Sequence, residues 1–361
     1  ILCVSESRIM DANQPPDKDE KPVPGGGGQD HRMQKRPTLK SIAVLTGLSI
    51  ATVSRALKDA DDIGEATKRR VREVAIEVGY RPNRAGVRLR TGKTNVICLV
   101  MSAESHVMNH TAQLIYSIST ALRNTPYHLN VTPYSLDDDP MDPIRYIVET
   151  GSADGVILNQ IQPDDPRIRY MSENGVPFAT HGRTEMGIVH PYFDFDNQRF
   201  TELGVEKLAS LGRRNLALLA PPATQTYGMH MINGFFAAAD RLGVNASVLE
   251  AVTSDSPIAD IERAVSNAMK SPTPPDGFIS GSTSATMAIV NAIEQEGLHL
   301  GVNVDLVAKE ALQFLVHFRR EIIVVRENVS QAGAFLVKAL TASIEKDGPP
   351  LQGVETPKLE T

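Results

Sequence analysis

From Ile50 to Arg55 the sequence runs Ile-Ala-Thr-Val-Ser-Arg, short or hydrogen-bonding side chains, with Val53 and Leu57 left to face inward. On a helix, that pattern suits contact with base edges and phosphates. A second group of chemically able side chains follows apolar runs. It comprises Ser102, Glu104, Asn109, His110 and Thr111; His181 and Arg183; Gln225, Tyr227 and His230; Ser282 and Ser284; and Lys309 and Glu310. A third group, His181, His190, Asp194 and Asp196, falls within 16 residues and offers metal-ligand types. Its spacing matches no helical i, i+4 pair, so a structural or ligand-contacting role is the reading and no metal is expected. There is no phosphate-cradling Walker loop and no nucleophile elbow. Gly25 to Gly28 have no strand or helix around them. Neither an enzyme nor a bound cofactor is expected.

The elements that must position the first group are legible. Thr38 is a good N-cap, and Leu39, Ile42, Ala43 and Leu45 then recur at helical spacing. Gly47 stops that helix by taking the left-handed conformation. Ser49 caps a second helix running to about Leu57. Two short helices joined by a glycine-containing turn make a helix-turn-helix, whose second helix places its N-terminal part in the DNA major groove. A third helix is expected from Glu65 to Val78, with Val71, Val74, Ala75 and Val78 inward and Lys68, Arg69, Arg70 and Arg72 toward solvent or phosphate. From Met33 to Lys93 there are 14 Lys+Arg against 6 Asp+Glu, a net of +8; the whole chain is at −6, so the remainder carries −14. A basic head on an acidic body is the footprint of a nucleic-acid-binding domain attached to something else.

The second helix Ala-Thr-Val-Ser-Arg-Ala-Leu, the third ending in Val-Gly-Tyr-Arg-Pro-Asn, and a short segment ending in Leu89 together resemble the LacI/GalR family of bacterial transcription regulators. The resemblance extends over residues 37 to about 345. It implies a homodimer on pseudo-palindromic double-stranded operator DNA, in the cytoplasm and on the nucleoid. It places Thr38, Ser49, Ile50, Ala51, Thr52, Ser54, Arg55, Asn83, Arg84 and Leu89 at the DNA. Ile50, Ala51 and Arg55 are the expected base readers, with Thr52 and Ser54 on phosphates. In the family, the hinge becomes a helix only when two copies pair in the minor groove, where the leucine wedges between base pairs. An isolated helix of that length is marginal in water, and Gly86 makes this one looser.

From Thr94 onward, short apolar strands alternate with amphipathic helices, which means parallel sheets wound on both faces. The expected fold is an all-α helix-turn-helix headpiece plus an α/β two-lobed body of two doubly wound parallel sheets. The resemblance implies that this body is periplasmic-binding-protein-like. The divisions are a disordered extension 1–36, the headpiece 37–82, a hinge 83–93, the body 94–350 and a tail 351–361. The first lobe takes about 94–212 plus 326–345 and the second about 213–325, with chain crossings near Leu211 to Asn215 and near Arg326. Ligands of such folds bind at the C-terminal ends of strands, between lobes. Eight residues are the effector-binding candidates: His110, Thr111, Arg183, Gln225, Tyr227, His230, Ser282 and Glu310. Carry-over from the family partly fails. Met231 stands where an arginine usually grips the effector, and Glu310 stands for the usual aspartate. The first loop reads Met-Asn-His-Thr instead of Asn-Pro-Phe-Phe. A set of His, Gln, Tyr, Glu and Arg suits a polyhydroxylated ligand, a sugar or sugar derivative.

Composition agrees with a globular protein: 361 residues, 41% hydrophobic and 22% charged. Cys3 sits in the expected disordered tail and Cys98 in an apolar strand, so no disulfide is expected and a reducing compartment fits. No apolar run is long enough to span a bilayer, and Ser5, Glu6 and Arg8 interrupt any secretory core. The reading is a ligand-responsive repressor relieved by its effector. An activator or a co-repressor-dependent regulator is the alternative, and a sugar-binding protein without a DNA role the weaker one.

Overall fold

The computed structural model describes residues 37–80, 86, 88, 91–103, 108–135 and 137–359, with Met108 and Asn109 described by backbone alone. The extension 1–36, the hinge residues Asn83, Arg84 and Leu89, and Glu104 lie outside the described residues. The chain divides into two compact units, residues 1–83 and 84–361.

In the first unit, α1 (Leu39–Thr46) begins at a capping box. The Ser41 amide donates to Thr38 Oγ1 at 3.4 Å, and the Thr38 amide donates to Ser41 Oγ at 3.2 Å. Gly47, at φ 69°, ends the helix. In α2 (Ile50–Ala56) the Thr52 amide donates to Ser49 Oγ at 3.0 Å. The two axes are bent by 101°, inside the roughly 90–120° of helix-turn-helix units. With α3 (Glu65–Glu77) they enclose Ile42, Ala43, Val53, Ala56, Val71 and Ala75. Two expectations need correction. Leu45 is exposed and Thr46 buried instead, because positions 39, 42, 43 and 46 make the i, i+3, i+4, i+7 stripe. Lys68 is buried, not phosphate-facing, and its ammonium donates to Glu65 at 2.7 Å.

The second unit holds two all-parallel sheets. The first comprises β1 (Val96–Ser102), β2 (His128–Tyr134), β3 (Gly155–Leu158), β4 (Phe178–His181), β5 (Tyr192–Phe195) and β11 (Gln352–Glu355), in the order β11-β5-β4-β3-β1-β2. The second comprises β6 (Asn215–Leu219), β7 (Asn245–Val248), β8 (Gly277–Ser280), β9 (Asp305–Glu310) and β10 (Ile323–Arg326), in the order β10-β9-β8-β6-β7. Helices α4 (Met108–Ala121), α5 (Asp142–Thr150), α6 (Pro166–Glu173) and α12 (Val329–Glu345) cover the first sheet. Helices α7 (Asn197–Ser210), α8 (Thr226–Leu242), α9 (Ile258–Met269) and α10 (Thr283–Gln295) cover the second, and a short α11 (Leu315–Phe318) follows β9.

The pleat sorts each strand into two cores. Ile97, Leu99 and Met101 of β1 join Leu114, Ile118, Leu336 and Leu340 on one face. Cys98 and Val100 join Ile144, Ile147, Ile168 and Met171 on the other. Burial pushes the Cys98 thiol up.

The lobe boundary differs from the expected one. Helix α7 packs on α8 and on the second sheet, with Phe200, Val205 and Leu208 in that sheet's core. The chain therefore crosses at residues 195–197, ahead of the expected 211–215. It returns between β10 and α12. A third crossing follows β11, which lies in the supposed tail: Leu359 forms an antiparallel bridge with Val325.

Close approach of α12 to α4 depends on Gly333, where an added Cβ would fall on the Ser117 hydroxyl and 2.9 Å from the Ile118 amide nitrogen. Gly333→Ala should destabilise the protein by about 1–3 kcal/mol through overpacking. Urea unfolding should show this as a lower midpoint at unchanged slope, and a wild-type midpoint would mean that the two helices part freely.

Candidate functional site

Two surfaces are candidates, one in each unit. On the first, Ile50, Ala51 and Arg55 of α2 are exposed and Thr52 and Ser54 half-buried. Val53 and Ala56 are buried, and Leu57 is partly buried against the same core. The Arg55 guanidinium pairs with Asp62. The Thr38 hydroxyl serves its capping box, and Ser49 Oγ lies 2.8 Å from Thr52 Oγ1. These polar groups are ordered by the caps, which set the face that α2 presents.

In the second unit, the C-terminal strand ends of both sheets face a cleft of about 420 Å³. Parallel strands put all the C-terminal ends at one edge of each sheet, which gathers the loops that follow them. Of the eight sequence candidates, His110, Thr111, Tyr227, Ser282 and Glu310 line the cleft. Arg183, Gln225 and His230 do not. Arg183 Nε lies 2.9 Å from Asp194 Oδ2. Gln225 is the N-cap residue of α8, with its Oε1 buried and without a hydrogen-bond partner among the described residues. His230 Nε2 is 2.8 Å from Glu185 Oε1. Helix α8 begins at Thr226, so Tyr227 and His230 lie in its first turns. Met231 is fully buried in the core of the second sheet.

The cleft floor is organised by Glu327, buried just beyond β10. Its Oε1 faces His110 Nε2 at 3.1 Å and His181 Nε2 at 3.6 Å. Its Oε2 accepts from Lys309 Nζ at 2.9 Å. The lysine also donates to Asn197 Oδ1 at 3.0 Å and lies 4.9 Å from the centre of the Phe195 ring. Burial alone would raise the Glu327 carboxyl, but Lys309 and the histidines outweigh it and hold the group well below the usual carboxylate range. Burial pushes the His181 imidazole down to about 3, so it is neutral. Burial pushes the Asp194 carboxyl up to about 6, against the pull of Arg183. Burial likewise pushes the Tyr227 phenol up.

Glu310 divides its work. One oxygen accepts from the amides of Phe314 and Leu315 at 3.0 and 2.8 Å, which holds the start of α11. The other oxygen lies 4.0 Å from Arg326 Nη2 and, like Thr111 Oγ1 and Asn159 Oδ1, is buried without a hydrogen-bond partner among the described residues. Asn159 follows β3 and Glu327 follows β10, so both obey the strand-end rule that located the other candidates, yet sequence reading passed over both. Of the cluster His181, His190, Asp194 and Asp196, only His181 and Asp194 reach the cleft. His190 meets Thr180 Oγ1 at 2.9 Å and the Ile188 carbonyl at 2.8 Å, and Asp196 caps α7.

A buried pair holds the Asn159–Gln160 wall. Arg167 donates from Nη2 to Asp165 Oδ2 at 2.7 Å and to the Gln160 carbonyl at 2.9 Å.

The family model described as bacterial regulatory proteins, lacI family, matches residues 38–83, and that of periplasmic binding proteins and the sugar binding domain of the LacI family matches residues 94–327. The HTH-type transcriptional regulator AglR of Rhizobium meliloti (strain 1021) is 30% identical over 318 residues, 86% of this chain and 88% of its own. A Lac repressor dimer bound to operator and the anti-inducer ONPF has a TM-score of 0.80 at 18% identity, covering 91% of this chain and 98% of that one. A transcriptional regulator CelR–cellobiose complex has a TM-score of 0.64 at 23% identity, covering 90% and 99%.

Arg167→Ala should leave Asp165 charged and buried with only the amides of residues 162 and 167 as partners, at a cost of about 3–5 kcal/mol. Calorimetric unfolding measures it, and a loss under about 1 kcal/mol would mean that water replaces the guanidinium.

Proposed function

The chain belongs to the lacI family of bacterial regulatory proteins, and from that premise we propose that it is a repressor whose hold on its operator is released by a neutral sugar. It is a DNA-binding transcription regulator. The proposal adds the effector, the sign of regulation, a homodimer on a pseudo-palindromic site, a cytoplasmic location and the absence of enzymatic activity.

One observation carries the effector class. Thr111 Oγ1, Asn159 Oδ1 and a Glu310 carboxylate oxygen, the last 4.0 Å from Arg326 Nη2, are buried at the cleft without hydrogen-bond partners among the described residues. A buried polar atom left unpaired costs roughly 1–3 kcal/mol, which ligand hydroxyls would recover. Tyr227, Phe195 and Phe314 add ring surface for the apolar faces of a pyranose. The lining holds the carboxylates of Asp194, Asp255, Glu310 and Glu327 against one lysine, Lys309, which argues against sugar acids and sugar phosphates. The cellobiose named with the CelR structure is a sugar of this neutral kind.

On the DNA side, Ile50, Ala51 and Arg55 are proposed as base readers, with Thr52 and Ser54 on phosphates and Thr38 and Ser49 ordering the helix starts. Asn83, Arg84 and Leu89 of the hinge keep the roles that the resemblance implies, with Leu89 as the minor-groove wedge. Operator and effector affinities must be coupled reciprocally, by about 1–3 kcal/mol.

A thermal-shift screen should show stabilisation by neutral mono- or disaccharides and none by uronates or sugar phosphates. Glu310→Gln should weaken the identified sugar at least tenfold, since it keeps the shape and removes the charge. Preferential stabilisation by an anionic sugar would overturn the effector class. For the operator, Arg55→Ala should cost about 1–3 kcal/mol, unequally across base positions. A uniform loss on operator and random DNA would reassign Arg55 to phosphate. Equal sugar affinity with and without operator duplex, in calorimetric titration, would remove that sugar as the regulator.

A further inference from the structure

We propose that His110, His181 and Glu327 form a binding site for a divalent transition-metal ion of the zinc class at the floor of the cleft. The three donor atoms, one per residue, all lie within 4.8 Å of one another. Glu327 Oε1 is 3.1 Å from His110 Nε2 and 3.6 Å from His181 Nε2. Bonds of about 2.0–2.1 Å at tetrahedral angles put neighbouring donors roughly 3.3 Å apart, so both separations straddle the required value. A ring shift of about an ångström would centre all three donors on an ion.

The partners of each donor point the same way. His181 Nε2 is buried and has no hydrogen-bond partner among the described residues, and its side chain is only 11% exposed. Its neutral imidazole has a lone pair to give. Glu327 divides its oxygens, with Oε1 toward the histidines and Oε2 held by Lys309 Nζ at 2.9 Å. That division matches a carboxylate bound to metal through one oxygen and oriented through the other. Two imidazoles and a carboxylate suit zinc and its first-row neighbours, whereas magnesium and calcium need oxygen shells. Ion binding replaces the hydrogen bond between His110 Nε2 and Glu327 Oε1, with the imidazole proton on Nδ1 in the bound form and any second proton released to solvent. The excess of carboxylates lining the cleft favours a cation, and the fourth position opens onto it. The ion would join α4, β4 and the second crossing of the chain, three parts distant in sequence.

The test uses the full-length protein after dialysis against a chelator, with no sugar and no DNA, so its outcome is independent of the effector reading. Calorimetric titration with Zn²⁺ should give one site per chain. Co²⁺ should develop the visible bands of a low-coordinate nitrogen–oxygen site. His181→Gln and Glu327→Gln should each weaken binding by at least about 100-fold, more than loss of an outer partner does. His299→Gln, on an exposed turn, should bind like wild type. Mass-spectrometric mapping of diethylpyrocarbonate modification in the wild-type chain needs no variant to fold, and Zn²⁺ should protect His110 and His181 there. No stoichiometric binding, wild-type affinity in either ligand variant, or unprotected histidines would overturn the site.

Discussion

A carboxylate buried as deeply as Glu327 survives ionised only among cations and hydrogen-bond donors, and the cleft is arranged around meeting that need. Lys309 must reach it from the end of β9, and His110 must reach it from the first turns of α4. Their positions in turn fix Asn197 beside the lysine and His181 beside the histidine. Glu327 also lies where the chain passes from the second sheet back to the first, and its amide donates to the Glu310 carbonyl at 2.9 Å. The group that sets the electrostatics of the cleft therefore sits on a connection between its two walls. Any molecule entering the cleft meets a charge network already anchored to both sheets.

Much of the fold was legible because its signals are local. Capping residues, glycine stops and apolar runs are contiguous in sequence, so β3, β6, β8 and α9 begin and end where their patterns do. The strands β7 and β11 were not legible, and both are edge strands with alternating exposure and polar composition, Asn-Ala-Ser-Val and Gln-Gly-Val-Glu. The strand β5 was hidden differently, by Asp194 in the middle of Tyr-Phe-Asp-Phe, a charge kept in place by Arg183. Helix α7 reads correctly as a helix, but nothing along it says which sheet it covers. That assignment comes from Phe200 and Leu208 meeting Phe235, a tertiary contact.

The candidate site was legible to the extent that it obeys the strand-end rule. His110, Thr111, Tyr227, Ser282 and Glu310 follow it. Arg183 and His230 also follow it, but Arg183 is paired with Asp194, His230 lies 2.8 Å from Glu185, and neither lines the cleft. Counting polar residues after strands cannot tell a side chain that is already partnered from one that is not. The grouping of His110 with His181 and Glu327 is invisible for the same reason. Each stands alone in its own stretch, and only the sheet order brings them together.

The two sheets also differ in when they can exist during synthesis. Every strand of the second sheet lies between residues 215 and 326, so it can close while later residues are still being made. The first sheet cannot, because its edge strand β11 is encoded at residues 352–355 and its covering helix α12 at 329–345. Until then the apolar face formed by Ile97, Leu99 and Ile157 lacks the helix residues Leu336 and Leu340 that cover it. Such a nascent chain carries an open parallel sheet, the kind of surface that invites chaperones and aggregation. The earliest part of the body to be translated is thus the last to be finished.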